Sequence, residues 1–227
     1  MHNVRRFLGL LGMLALYSNQ QLYADPYIVA VNVGVPERFD VEDGNLVGAG
    51  SPPYHCVFDH TGENFTFVLM PLKRSLYELD KGRVDVTLPL VREPSRDEYG
   101  DFGGHLYHVD YVYLSLRELG PIQEDSGLSF VMLRSFAGLR VLLKDEYAEV
   151  FFVNLWEQAP EMLKQGRADA VLIPKTLVAG FMEDYTEPYF QQHAGRLGVS
   201  FYIARKHRET GLTAKLKLAV DECGQDG

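Results

Sequence analysis

Apolar residues along this chain fall in short runs, separated by polar stretches in which hydrophobic positions recur at helical spacing. Tyr27-Ile28-Val29-Ala30-Val31 is rich in β-branched residues and predicts a strand within residues 26–35. Residues 36–39 read as a loop, and residues 41–46 as a tight turn between short extended pieces. Residues 52–60 predict a short helix with Pro52 or Pro53 in its first turn. Phe65-Thr66-Phe67-Val68-Leu69-Met70 predicts a second strand. Pro71 then opens a helix with Leu72, Leu76 and Leu79 on one face, ending at Gly82.

Residues 91–104 are polar and lack periodicity, which predicts a surface loop. Residues 106–116 alternate from Tyr111 onward and predict a long strand. Residues 120–126 read as a loop, 136–143 as a turn entering a strand, and 150–153 as another strand. Helices are expected over 156–164 and 177–182, and a last strand over 198–204. A terminal helix over 212–223 carries Leu212, Leu216, Ala219 and Val220 on one face. Helices alternating with apolar strands indicate an α/β protein.

One phrase occurs twice. Leu79-Asp80-Lys81-Gly82-Arg83-Val84-Asp85-Val86 returns as Leu163-Lys164-Gln165-Gly166-Arg167-Ala168-Asp169-Ala170. Each copy ends a helical stretch, and each leads into an apolar run, Val86-Thr87-Leu88 or Val171-Leu172-Ile173. The glycine suits the left-handed position just past a helix. Two such units predict two similarly built α/β lobes with a cleft between them, where a ligand would bind. The competing reading is coincidence, since helix–glycine–strand passages are common.

The first residues read as a targeting segment. Arg5 and Arg6 precede eleven mostly apolar residues, Phe7 to Tyr17, and a polar stretch follows. This is the layout of a secretory signal peptide over residues 1–24, cleaved after Ala24, and the apolar run is short of the roughly 20 residues a membrane span needs. The alternative is an uncleaved anchor. What remains is long enough for one sizeable core or two small lobes. The net charge of −9 argues against a nucleic-acid partner. The two cysteines, Cys56 and Cys223, could pair in an exported protein or stay separate thiols. No cysteine stands at the cleavage site to carry a lipid. The expected protein is periplasmic, soluble and monomeric.

Catalytic signatures are missing from the sequence. There is no Gly-x-Ser-x-Gly elbow, phosphate-binding glycine loop or His-Glu-x-x-His helix. His105 and His108 are three apart in a loop-to-strand passage, an unpromising metal pair. No cofactor or metal is implied, and no carboxylate pair stands out as catalytic.

The order of parts carries a resemblance. An opening strand is followed by Pro36…Phe39, Asp43-Gly44-Asn45-Leu46-Val47-Gly48, Met70-Pro71-Leu72-Lys73-Arg74 and Gly82-Arg83-Val84-Asp85. Then come Pro94-Ser95-Arg96, Phe136-Ala137-Gly138-Leu139-Arg140-Val141, Gly166-Arg167-Ala168-Asp169-Ala170-Val171, Glu187-Pro188-Tyr189 and Gly198-Val199-Ser200-Phe201-Tyr202-Ile203-Ala204. Over residues 27–227 this resembles the family 3 extracellular solute-binding proteins of polar amino acid transporters.

The resemblance implies a two-lobed, type II periplasmic-binding-protein fold. Residues 25–107 plus 190–227 would form lobe 1, residues 108–189 lobe 2, and two crossover strands the hinge. It implies a small-molecule solute as ligand and a membrane transporter permease as possible partner. By position, Arg96 would grip a ligand carboxylate, which suits a guanidinium. The competing reading is a loop arginine paired with Asp97 or Asp101, and Arg92 is a rival in the same loop. Phe39 matches a cleft-lining aromatic or a core residue, and Arg74 a basic residue opening the lobe-1 helix or a surface charge.

The chain departs from the family pattern where an acid would receive a ligand ammonium. That stretch is Ile173-Pro174-Lys175-Thr176, and Lys175 favours an anion. Glu93 stands where the family has threonine. The turn and helix expected after lobe 2's first strand give way to Lys144-Asp145-Glu146-Tyr147, which predicts a shortened second lobe. Two other functions compete with solute capture. One is a sensor or interaction protein that kept the fold. The other is a dehydratase-like enzyme, for which Glu37 or Glu93 would have to face the leaving group.

Overall fold

The computed structural model describes residues 25–33, 38–122, 127–134, 149–154 and 158–224. Among them, nine strands form one mixed sheet whose backbone order explains the repeated phrase.

In the first half, β1 (Tyr27–Asn32) lies between β4 (Phe65–Met70) and β5 (Val86–Val91), parallel to both. In the second half, β8 (Ser129–Leu133) lies between β9 (Glu149–Val153) and β10 (Ala170–Pro174), again parallel to both. Each half therefore has its first strand in the centre, its second outside and its third inside. The inner strands β5 and β10 are joined through two long antiparallel strands, β7 (Tyr107–Ser115) and β11 (Phe190–Ile203). β11 pairs with β7 from Phe190 to Val199 and with β5 from Val199 to Ile203, so one strand runs through both halves. A small hairpin, β2 (Asp40–Glu42) and β3 (Asn45–Val47), stands apart.

Helices cover the apolar faces. α1 (Pro52–Thr61) and α6 (Leu212–Cys223) pack on one face of the first half, where Tyr54, Val57, Phe58, Leu216 and Val220 meet Val29, Val31, Leu88 and Phe201. All four residues read as the inner face of α6 are buried. On the other face, α2 (Leu72–Asp80) lays Leu72, Leu76 and Leu79 against Ala30, Leu90 and Tyr202. In the second half, α3 (Gln158–Lys164) and α4 (Val178–Phe181) cover Val112, Leu114, Val131, Val171 and Ile173. A short helix, α5 (His207–Thr210), leads into α6.

The repeated glycines sit where the phrase requires them. Gly82 has φ +66° and Gly166 φ +64°, the left-handed region that lets a helix stop without Cβ strain. Each closes its helix with the same bonds: Gly82 N donates to Leu79 O and Gly166 N to Leu163 O, both at 3.0 Å.

Cys56 and Cys223 pair, with Cα atoms 5.9 Å apart, and tie α1 to α6. Among the described residues no helix is long and apolar enough to cross a membrane, and no group of His, Cys, Asp and Glu is placed to hold a metal ion.

Three features differ from the sequence reading. β8 has no counterpart among the expected elements; the strand expected over 136–143 lies outside the described residues. β11 begins at Phe190, eight residues earlier than expected, because it is held by pairing with β7 rather than by apolar content. The stretch 91–104 is more than a surface loop. Asp101–Phe102 forms a short strand, β6, against β11. Tyr202 Oη donates to Asp97 Oδ1 at 2.9 Å and accepts from the Glu93 amide at 3.1 Å, which fastens the loop to β11.

Candidate ligand-binding site

In open α/β sheets, ligands gather beyond the carboxyl ends of parallel strands, where loops diverge and backbone groups need partners. Two such ends matter here. β5 ends at Val91 and runs into the loop that carries Glu93 and Arg96. β10 ends at Pro174 and turns at once into a 3-10 turn, Lys175–Leu177. Arg96 and Lys175 thus follow equivalent inner strands of the two halves.

Their surroundings differ. Arg96 is buried, with 7% exposure. Its Nη1 donates to the Val91 carbonyl at 2.8 Å, and its Nε lies 3.4 Å from Glu93 Oε2. The guanidinium folds back under its own loop. It also faces Tyr111, whose phenol is pushed well above its ordinary value, chiefly by burial, with Arg96 pulling the other way.

Lys175 is exposed and lines an open pocket of about 570 Å³ together with Asp110, Val112, Gln191, His193 and Arg196. All but Lys175 come from β7 and β11. The register explains the grouping: His193 lies opposite Val112, Gln191 opposite Leu114 and Arg196 opposite Asp110, so these side chains share one face of the long strands. Ile173 lies opposite Val112, so the residue two further along, Lys175, reaches the same face beside Asp110.

The pocket's ion pair is Arg196 Nε to Asp110 Oδ1 at 2.8 Å, with Nη2 at 3.4 Å from Oδ2. The bond from Arg196 holds the Asp110 carboxyl below the usual carboxylate range, and the nearby His193 and Lys175 add to the effect. The Lys175 ammonium makes no hydrogen bond or ion pair among the described residues. The pocket can therefore offer an uncommitted ammonium, an imidazole and an amide to a polar solute.

Of the four residues singled out by sequence that are described, Arg96, Phe39, Lys175 and Arg74, Lys175 alone lines this pocket. Phe39 is 5% exposed and packs edge-on against Tyr54 with ring centroids 5.7 Å apart, inside the core under α1. Arg74 stands on the surface of α2, its Nε 3.9 Å from Glu78. Glu37 lies outside the described residues. Asp110, Gln191, His193 and Arg196 were not anticipated. The alternation of residues 106–116 could have marked Asp110 as one face of a strand, but polar Gln191-Gln192-His193 hides the strand that carries the rest.

No protein-family model matches the sequence, and no curated protein matches it significantly. Solved structures do match. A histidine kinase sensor domain with similarity to periplasmic binding proteins superposes with a TM-score of 0.69 at 15% identity, over 88% of this chain and 90% of that one. The substrate-binding protein of an amino acid ABC transporter gives 0.62 at 16% identity, over 86% and 92%. Holo ArgBP from T. maritima gives 0.62 at 18%, over 86% and 89%. At these identities the likeness concerns architecture. The chain is a mixed α/β protein with the fold of the periplasmic binding proteins.

Proposed function

We propose that this protein captures a small, polar, carboxylate-bearing solute between two lobes and delivers it to an ABC-type transporter in the membrane. Lobe 1 comprises residues 25–107 and 190–227, lobe 2 residues 108–189, and β7 and β11 are the hinge. The fold's neighbours include amino-acid-binding proteins, which supports a binding role rather than catalysis. The observation that carries the reading is Lys175: an uncommitted ammonium on an open pocket, just past the carboxyl end of an inner strand. Residues 1–24 act as the export signal, and the protein works in the periplasm.

A thermal-shift screen of the mature chain, from Asp25, against amino acids, dicarboxylates, sugar acids and polyamines tests this. A ligand that binds only the folded state stabilises it by about 2.7 kcal/mol at a hundred times its dissociation constant. A shift with carboxylate-bearing solutes is expected. No shift with any solute, for a folded sample, counts against solute capture.

A second reading is a sensor domain that binds its solute to report it. It draws on the match to a histidine kinase sensor domain across nearly the whole of both chains. Co-purification with a permease would favour delivery, and with a membrane kinase, sensing.

A further inference from the structure

The charges lining the pocket are unevenly committed. Among the described residues its one carboxylate, Asp110, is held by Arg196 through two contacts. The Lys175 ammonium is not held, and His193 and Gln191 make no side-chain hydrogen bond among the described residues. A zwitterionic α-amino acid needs a carboxylate to receive its ammonium, and here that group is taken. An anion meets the opposite situation, with donors available and a positive charge in excess.

We propose that this pocket is a receptor for a dianionic solute, a short dicarboxylate being the class that fits. Lys175 supplies the uncommitted charge, and His193 and Gln191 line the pocket with further polar groups. The inference rests on the solute-binding reading and specifies the ligand of that same site.

The test is isothermal titration calorimetry of the mature chain with succinate, sulfate, L-arginine and L-glutamine at about pH 8, where both dianion probes remain essentially fully charged. At least one dianion should bind, more tightly than either amino acid. Lys175→Ala should weaken that binding about tenfold or more. Lys175 is exposed, so the variant should keep the wild-type melting temperature; Lys175→Gln provides a second check. Dianion binding that ignores Lys175→Ala overturns the proposal. So does tighter binding of L-arginine or L-glutamine than of either dianion, which leaves solute capture standing. No binding of any probe, together with no thermal shift in the wider screen, overturns solute capture itself.

Discussion

Asp85 and Asp169 perform the same task in the two halves of the sheet. Asp85 Oδ2 accepts the Ile28 amide at 2.7 Å while the Asp85 amide donates to the Ile28 carbonyl at 2.9 Å. Asp169 Oδ2 accepts the Ser129 amide at 2.8 Å while its own amide donates to the Ser129 carbonyl at 2.9 Å. Each carboxylate thus pins the entry of an inner strand to the start of the central strand beside it. The aspartate of the repeated Gly-Arg-x-Asp phrase is a structural clasp.

The two clasps have different counter-charges, which sets their response to acid. Asp85 is nearly buried and meets Lys206 Nζ and His207 Nε2, each at 2.7 Å. Burial works to raise its pKa, but Lys206, the Ile28 amide and His207 outweigh it and hold the carboxyl below its ordinary value. Asp169 is likewise lowered against the effect of burial, by Ser129 and by Arg117. A carboxyl depressed in the folded state adds stability above its unfolded pKa and loses it as pH falls through the folded value. Asp85→Asn should therefore cost about 1–3 kcal/mol at neutral pH and flatten the loss of stability on acidification. Urea unfolding at a series of pH values measures both. An acid slope equal to that of the wild type would show that Asp85 does not carry the effect.

The Cys56–Cys223 bridge joins positions 167 residues apart and closes most of the chain into a loop. In the chain-entropy account a cross-link over so long a loop restricts the unfolded state strongly, by about 5 kcal/mol at most, with native disulfides commonly worth about 2–5 kcal/mol. Replacing both cysteines with serine should lower the melting temperature markedly. Packing between α1 and α6 does not depend on the bridge, since Tyr54, Val57, Phe58, Leu216 and Val220 supply it. The double variant should still fold at low temperature, with wild-type circular dichroism. An unchanged melting temperature would mean that α1–α6 packing alone fixes that end of the molecule.

Much of the fold was readable because the residues that build it do so locally. The glycine of the repeated phrase acts within one helix-to-strand passage, and the apolar face of α6 follows helical spacing, whereas the phrase's aspartates work on distant partners. What escaped the sequence depends on distant partners. The first part of β11 is polar, and its strand character comes from pairing with β7. The pairing of Cys56 with Cys223 rests on two helices from opposite ends of the chain lying side by side. The pocket was half legible: Lys175 stood out as a cation where the family resemblance implied an acid. Asp110, His193 and Arg196 became a group only through the register of two long strands.

Arg96 tests the difference between holding a loop and holding a ligand. Its guanidinium is engaged with the Val91 carbonyl and Glu93, so Arg96→Ala leaves a buried carbonyl and a carboxylate short of a donor. That should cost about 1–3 kcal/mol of stability. If the carboxylate-binding group is Lys175, affinity for an anionic ligand should stay within about twofold in the folded variant, a change under about 0.5 kcal/mol. Calorimetry at a temperature well below the variant's melting point separates the two roles. A tenfold or greater loss of affinity, with the fold intact, would return Arg96 to the ligand site.

Asp110 offers the opposite manipulation, one that should improve binding. Its charge partly cancels the positive field of Lys175 and Arg196 within the pocket. Asp110→Asn keeps the side chain's size and can still accept one hydrogen bond from Arg196, but removes the negative charge. Arg196 is about half exposed and Asp110 about a third, and solvent-accessible pairs of this kind contribute little to stability, so the melting temperature should hardly move. A dianion, in contrast, would meet an additional unit of positive charge at close range, and its affinity should rise about three- to tenfold at low ionic strength. The gain should shrink as salt is added, because screening over about 10 Å at 0.1 M weakens interactions at an open site. If affinity instead falls, the Asp110–Arg196 pair is required to hold the arginine in a binding pose, and the pocket recognises shape more than net charge.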